Sequence, residues 1–137
     1  MASGTLVDAN VLLDVITEDQ RWLPWSIEAL ADAADAGPLI INPMIYAEVS
    51  VRFSRVEDLE DALPARDYRR AALPWEAAFL AGKAFVSYRR KGGARTSPLP
   101  DFFIGAHAAI DGLRLLTRDA RRYRTYYPTV DLITPDP

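Results

Sequence analysis

The chain has 137 residues, half of them apolar and about a quarter charged, which is the composition of one ordinary globular domain. Sixteen Lys and Arg against 19 Asp and Glu give a net charge of −3, so bulk charge does not mark a nucleic-acid binder. The lack of cysteine excludes disulfides, thiolate zinc sites and a cysteine nucleophile, and no apolar run approaches the ~20 residues that span a bilayer.

Met1-Ala2-Ser3-Gly4 carries no basic leader region, and a soluble, cytoplasmic protein is expected. Thr5 to Val7 reads as a short buried strand, followed by a helix through Val15. Trp22, Trp25, Ala29, Leu30 and Ala33 mark an amphipathic helix from Trp22 to Ala36, stopped by Gly37-Pro38. Leu39-Ile40-Ile41 is a second strand. Asn42-Pro43 then starts a helix, with Asn as cap and Pro in the first turn, running through Glu48 towards Phe53. A shorter helix from Glu57 to Leu63 ends before Pro64, and Tyr68 marks a short edge strand.

Trp75, Ala78, Phe79, Gly82, Phe85 and Val86 repeat at three and four residues, which predicts a helix with that stripe facing the core. It runs into the basic segment Arg89-Arg90-Lys91-Gly92-Gly93. After Ser97-Pro98-Leu99-Pro100, Phe102 to Ile110 is apolar nearly all round and predicts a buried helix. A strand ending at Thr117, a short basic helix from Ala120 to Arg124 and a last strand from Val130 to Ile133 complete the chain. Strands separated by helices predict one α/β domain over residues 1–137, a parallel sheet with helices on both faces.

Four acids sit where strands end or helices begin: Asp8, Glu48, Asp101 and Asp119. Carboxylates at the carboxyl ends of parallel strands converge on one crevice, where they repel one another unless something positive fills it. A hard divalent cation is the natural occupant. Each acid also has a plainer reading. Asp8 is placed to cap the helix that follows, and Asp101 lies at the start of a buried helix whose free N–H groups favour an anion. Glu48, among Met44, Ile45, Tyr46, Val49 and Val51, either faces water or points into a polar pocket. Asn10 is placed to orient Asp8, and Asp14 is either solvated or supports the site from behind. His107, the only histidine, reads as a packed core residue.

One histidine excludes a two-histidine ribonuclease mechanism and a His-rich zinc site. No Gly-x-Ser-x-Gly elbow or Gly-x-x-x-x-Gly-Lys loop is present. Arginines and lysine cluster at Arg89, Arg90, Lys91 and Arg95, then at Arg114, Arg118, Arg121, Arg122 and Arg124. They are either solvated helix faces or a positive rim around the crevice that suits a polyanion.

Taken together, Val7-Asp8-Ala9-Asn10-Val11-Leu12-Leu13-Asp14, Glu48 on an Asn-Pro-initiated helix, Asp101-Phe102-Phe103-Ile104-Gly105-Ala106-His107-Ala108 and Leu115-Leu116-Thr117-Arg118-Asp119 resemble a PIN-domain ribonuclease. The length and the ending Tyr123-Arg124-Thr125-Tyr126-Tyr127-Pro128 resemble the VapC-like toxins of type II toxin–antitoxin systems. The resemblance implies a parallel five-stranded sheet of order 3-2-1-4-5. It carries Asp8, Glu48, Asp101 and Asp119 over as catalytic, metal-holding acids, with Asn10, Thr117 and Arg118 in support.

It further implies Mg²⁺ or Mn²⁺, an RNA substrate cut by a metal-activated water, a cognate antitoxin and a homodimer, with no membrane involvement. Trp22, Trp25, Phe53, Leu59 and Leu63 are expected to form the apolar surface for these partners. Two other classes stand beside this one. An aspartate-nucleophile phosphatase would need a second Asp where this chain has Asn10, and a non-catalytic binding module would use the acids structurally.

Overall fold

The computed structural model describes residues 4–93 and 99–135. Arg95, Ser97 and Pro98 lie outside them. Five strands carry the sheet: β1 (Thr5–Val7), β2 (Leu39–Ile41), β3 (Tyr68–Arg70), β4 (Arg114–Leu116) and β5 (Leu132–Ile133). All pair in parallel, in the order β3-β2-β1-β4-β5. The apolar runs of β1 and β2 are wholly buried, whereas β3 exposes Arg69 and Arg70 at its edge. That gradient follows from position, since central strands are covered on both faces and edges meet water.

Seven helices connect the strands among the described residues: α1 (Ala9–Ile16), α2 (Leu23–Ala36), α3 (Pro43–Ser50), α4 (Val56–Ala62), α5 (Trp75–Arg90), α6 (Leu99–Asp111) and α7 (Arg121–Tyr126). Right-handed crossovers put helices on opposite faces when the chain moves in opposite directions across the sheet. From β1 to β3 it moves one way, and from β3 to β4 and β5 the other. The reversal leaves a crevice between the carboxyl ends of β1 and β4. The Asn42 side chain caps α3 by accepting from the Ile45 N–H at 2.9 Å, as its place before Pro43 predicts. That helix stops at Ser50, short of Phe53.

The expected core stripe of α5 is wrong in phase. Trp75 and Phe79 are 88% and 66% exposed, and Gly82 and Val86 also face water. The buried residues are Ala77, Ala81 and Ala84, which repeat at the same helical spacing. Small side chains let α5 approach α6 closely, and Phe85 and Tyr88 reach over to pack edge-on against Phe102. The expected partner surface also fails. Leu59 and Leu63 are in the core, Trp25 and Phe53 are half-buried against it, and Trp22 is half-buried between Trp25 and Arg118.

α6 is the central helix, burying Phe102, Ile104, Gly105, Ala106, His107 and Ala108. It ends at Gly112, whose positive φ of 63° suits glycine, and the Leu113 N–H closes back on the Ala108 carbonyl at 2.9 Å. The Tyr127 ring lies directly on Gly105, where a Cβ would collide with it, and the Tyr127 hydroxyl donates to the Phe102 carbonyl at 2.9 Å. Gly105→Ala should therefore destabilise the protein by about 1–3 kcal/mol despite the better helix propensity of alanine, through overpacking. Urea unfolding checks this, and an unchanged or higher midpoint would contradict the packing described.

Candidate active site

The register of the two central strands assembles the crevice. Val7 pairs with Leu116, so Asp8 and Thr117 are the next residues out on neighbouring strands, and the Asp8 N–H donates to the Leu116 carbonyl at 2.9 Å. The Thr117 hydroxyl donates to Asp8 Oδ2 at 2.8 Å, and the Tyr123 hydroxyl donates to the same oxygen at 2.9 Å. Thr117 Oγ1 in turn accepts from the Asp119 N–H at 3.1 Å and from the Asn10 amide at 3.3 Å. The Asn10 carbonyl oxygen accepts from the Arg118 N–H at 3.2 Å. Asn10 and Thr117 thus orient Asp8 and the β4–α7 turn. Asp8 holds the capping position of α1 but makes no side-chain cap bond, so its carboxylate is aimed at the crevice instead.

Asp101 lies in the first turn of α6, where the helix dipole favours an anion. Arg122 from α7 donates to Asp101 Oδ2 at 2.8 Å, and the Tyr123 hydroxyl is 3.4 Å from Oδ1. Glu48, on α3, has its Oε1 buried with no hydrogen-bond partner. Asp119 is exposed at the rim.

Electrostatically, three of these acids are coupled. Burial, then the charge of Asp101, raises the Asp8 pKa to about 6 against the bonds from Thr117 and Tyr123. Glu48 rises to about 7, through burial first and then Asp8 and Asp101. Asp101 is also raised by burial; Arg122 opposes the shift and Asp119 adds to it. Burial and the neighbouring carboxylates push Tyr123 well above the usual phenol range, so it stays a donor. The crevice is therefore short of positive charge, and Arg122 is its only direct ion pair among the described residues.

Among those residues no three His, Cys, Asp or Glu side chains are already arranged around one point as metal ligands. The donor chemistry nevertheless fits a hard cation, since it is all oxygen and includes the orphaned Glu48 Oε1.

Other candidates fall elsewhere. Asp14 is 2% exposed and takes both Arg118 guanidinium bonds, at 2.6 and 3.0 Å, as well as the Ser26 hydroxyl at 2.7 Å. Arg118 also lies 5.1 Å over the Trp22 ring, so its guanidinium straps α1 to the β4–α7 turn instead of pointing at the crevice. Arg114 donates to Thr5 Oγ1 at the opposite, amino end of the sheet, and so does not belong to the rim. His107 is a fully buried core residue as expected, between Asn42 and Asp111 at 3.0 Å each, and burial lowers its pKa. Arg122 was among the arginines expected to rim the crevice, whereas sequence reading overlooked Tyr123. The one available signal was the spacing Ala120, Tyr123, Tyr127, which gives α7 a buried face.

Against known proteins, the PIN domain family profile matches residues 5–127. No curated protein matches by sequence. Among solved structures, the fold is similar to VapBC2 from Rickettsia felis bound to a DNA fragment from their promoter, at 17% identity and TM-score 0.70 over 96% of this chain and 98% of that one. It is similar to VapBC-1 from nontypeable Haemophilus influenzae at 14% identity and TM-score 0.71, over 95% and 96%. A toxin–antitoxin complex from Klebsiella pneumoniae is 21% identical with TM-score 0.67, over 96% and 98%.

The raised carboxyl values set a pH dependence. Asp8 and Glu48 have folded-state pKa values of about 6 and about 7, above ordinary values of 3.8 and 4.5. Within that window the folded crevice holds protons that the unfolded chain has released, so metal-free stability falls as pH rises from about 4 to about 7. Asp8→Asn should melt several degrees above wild type at about pH 8 and show a shallower pH slope. Thermal melts in chelator at about pH 5 and about pH 8 check both points. A wild type that melts higher at the alkaline end, or a variant well below it there, would contradict the strain.

Proposed function

Because the chain belongs to the PIN domain family, we propose that it is a metal-dependent endoribonuclease and the toxin of a type II toxin–antitoxin pair. The observation that carries this reading is the cluster of Asp8, Glu48 and Asp101, in which Asp101 raises the Asp8 pKa and both raise that of Glu48, whose buried Oε1 has no partner. Such a cluster strains the fold unless cationic charge enters it, and its oxygen-only donors suit Mg²⁺ or Mn²⁺. Asp8, Glu48 and Asp101 would hold the ion, with Asp119 at the rim. Bound there, it would polarise a phosphate oxygen and ease the deprotonation of an attacking water.

The chain's own residues prepare that chemistry. Thr117 and Tyr123 fix Asp8 Oδ2 in place, which is the preorganisation that a charge-stabilising site needs. Arg122 supplies a guanidinium at the crevice wall for a phosphate. His107 has both ring nitrogens engaged and takes no part. Water attacking phosphorus, with the P–O3′ bond breaking and the 3′-oxygen leaving and taking up a proton, would give a 5′-phosphate and a 3′-hydroxyl. Asn10 spends its amide on Thr117 and Arg118, which disfavours a phosphatase that would need a carboxylate there.

The antitoxin part of the reading is supported by the likeness to VapBC structures. An antitoxin arginine seated on Asp8 and Glu48 would supply the missing charge and block the crevice. A second copy of this chain on the outer face of α5 would cover Trp75, Phe79 and Val86. The purified protein should then run as a dimer, and Phe79→Glu should shift it to monomer in light scattering. A wild-type monomer would remove the homodimer from the reading.

Cleavage of RNA should require Mg²⁺ or Mn²⁺, stop in excess chelator, and fall at least about a hundredfold in Asp8→Asn. Mapping of RNA 5′-ends after brief expression of wild type beside Asp8→Asn is the decisive measurement. Full activity in chelator, or equal cleavage by the variant, would defeat the assignment.

A further inference from the structure

A cleft of ≈ 430 Å³ opens beside Asp119, lined by Tyr88, Asp119, Arg121, Arg122, Thr125 and Tyr126. We propose that this cleft is the subsite for an unpaired nucleotide adjoining the scissile phosphate, with its phosphate on Arg121 and Arg122 and its base against Tyr126 and Tyr88. The inference rests on the nuclease reading and adds where the substrate strand lies.

Three features favour a nucleotide. The first is continuity with the crevice. Arg122 bonds Asp101 at 2.8 Å while its guanidinium sits 5.7 Å over the Tyr88 ring, so one side chain belongs to both the crevice wall and the cleft. A strand whose phosphate enters the crevice must pass this residue. The second is pairing of cation with aromatic ring. Arg122 over Tyr88 supplies it inside the cleft, Lys91 from the neighbouring cleft lies 5.3 Å from the Tyr126 ring, and Tyr88 and Tyr126 meet edge-on at 6.4 Å. Cations beside tyrosine rings put phosphate-binding charge next to aromatic surface of the kind that unpaired bases stack on.

The third feature is Arg121, which is exposed at the cleft mouth and makes no hydrogen bond or ion pair through its side chain among the described residues. The volume suits one nucleotide. Stacking on a tyrosine needs a base released from its own stack, so a paired duplex cannot use the cleft.

The other clefts lack this combination. A cleft of ≈ 470 Å³ that shares Thr125 and Tyr126 adds Lys83 and Lys91, but neither Arg122 nor any of the four acids lines it, so it has no continuity with the crevice. One lined by Glu28, Asp32 and Arg114 lies away from the acids and is itself acidic, and one around Tyr46 and Ile41 is mostly apolar.

The test uses the full chain in an Asp8→Asn background, so that the strand stays intact. Binding of a short fluorescein-labelled single-stranded oligoribonucleotide, and of the same sequence as a duplex, is read by anisotropy across a salt series. Tyr126→Leu should weaken single-strand binding about tenfold, and Tyr126→Phe should restore it, because the ring and not the hydroxyl does the stacking. Arg121→Ala should lower the logarithmic salt slope by about 0.7, the value of one single-strand phosphate contact. Duplex affinity should be weaker and should not respond to Tyr126→Leu.

Unchanged single-strand affinity in both Tyr126→Leu and Arg121→Ala, or an equal loss for duplex, overturns the proposal. Should Tyr126→Leu not fold, the salt slopes of Arg121→Ala and Arg121→Glu at that exposed position decide it alone. Cleavage assays with Asp8 intact separate the two readings. If Asp8-dependent cleavage persists with KM unchanged in Arg121→Ala and Tyr126→Leu, the subsite is wrong and the nuclease stands. If the strand binds with these dependences and is never cut, the reverse holds.

Discussion

The structure turns on a repulsion held in place. Asp8, buried, and Glu48 and Asp101, half-buried, are brought to one crevice by β1, α3 and α6, and each is harder to ionise because of burial and its neighbours. At an effective dielectric of ~20, two carboxylates ~5 Å apart repel by about 3 kcal/mol, a sizeable fraction of what a domain this size has to spare. Everything nearby can be understood as confining that charge without cancelling it. Thr117 and Tyr123 bond one oxygen of Asp8, Arg122 bonds one oxygen of Asp101, and Glu48 Oε1 is left with nothing.

The confinement is built in two shells with different chemistry. Close to the acids are neutral hydroxyls and a single guanidinium, which orient carboxylates and leave net negative charge. Behind them lies the buried pair of Asp14 and Arg118, a two-point ion pair closed by Ser26 and the Trp22 ring. A buried pair of this kind adds little to stability over an apolar replacement, but losing one partner is costly. Its contribution is positional, since it ties α1 to the turn that carries Thr117 and Asp119.

The legible parts of the sequence were those governed by local rules. Strand runs bounded by Gly, Pro and acids, the Asn42 cap and the buried helix after Asp101 all depend on neighbours in the chain, and each stands in the structure. The four acids were legible from their places at strand ends and helix starts, whereas the sheet order came from resemblance to a known pattern. What stayed hidden depends on contacts distant in sequence. The phase of α5 could not be settled by periodicity because two stripes share one spacing, and the choice fell to the close approach of α6. Arg118 and Arg122 are alike as a pattern but differ in partner. One faces Asp14, 104 residues away, and the other faces Asp101. Tyr123 is one tyrosine of six until the fold puts its hydroxyl on Asp8.

The bond between Thr117 and Asp8 spans 109 residues, and that from Tyr123 to Asp8 spans 115. Both reach from Asp8 to residues more than a hundred positions later, so no shorter nascent fragment can orient Asp8. At roughly 5–20 residues per second, translation alone keeps these partners apart for about 5–20 s. β1 must also wait beside β2 for β4 to arrive on its other edge, a late long-range closure of the kind that slows parallel sheets. The centre of the protein is thus complete only after more than a hundred residues have followed Asp8. Until then the growing polypeptide carries its first acid with neither of the hydroxyls that aim it.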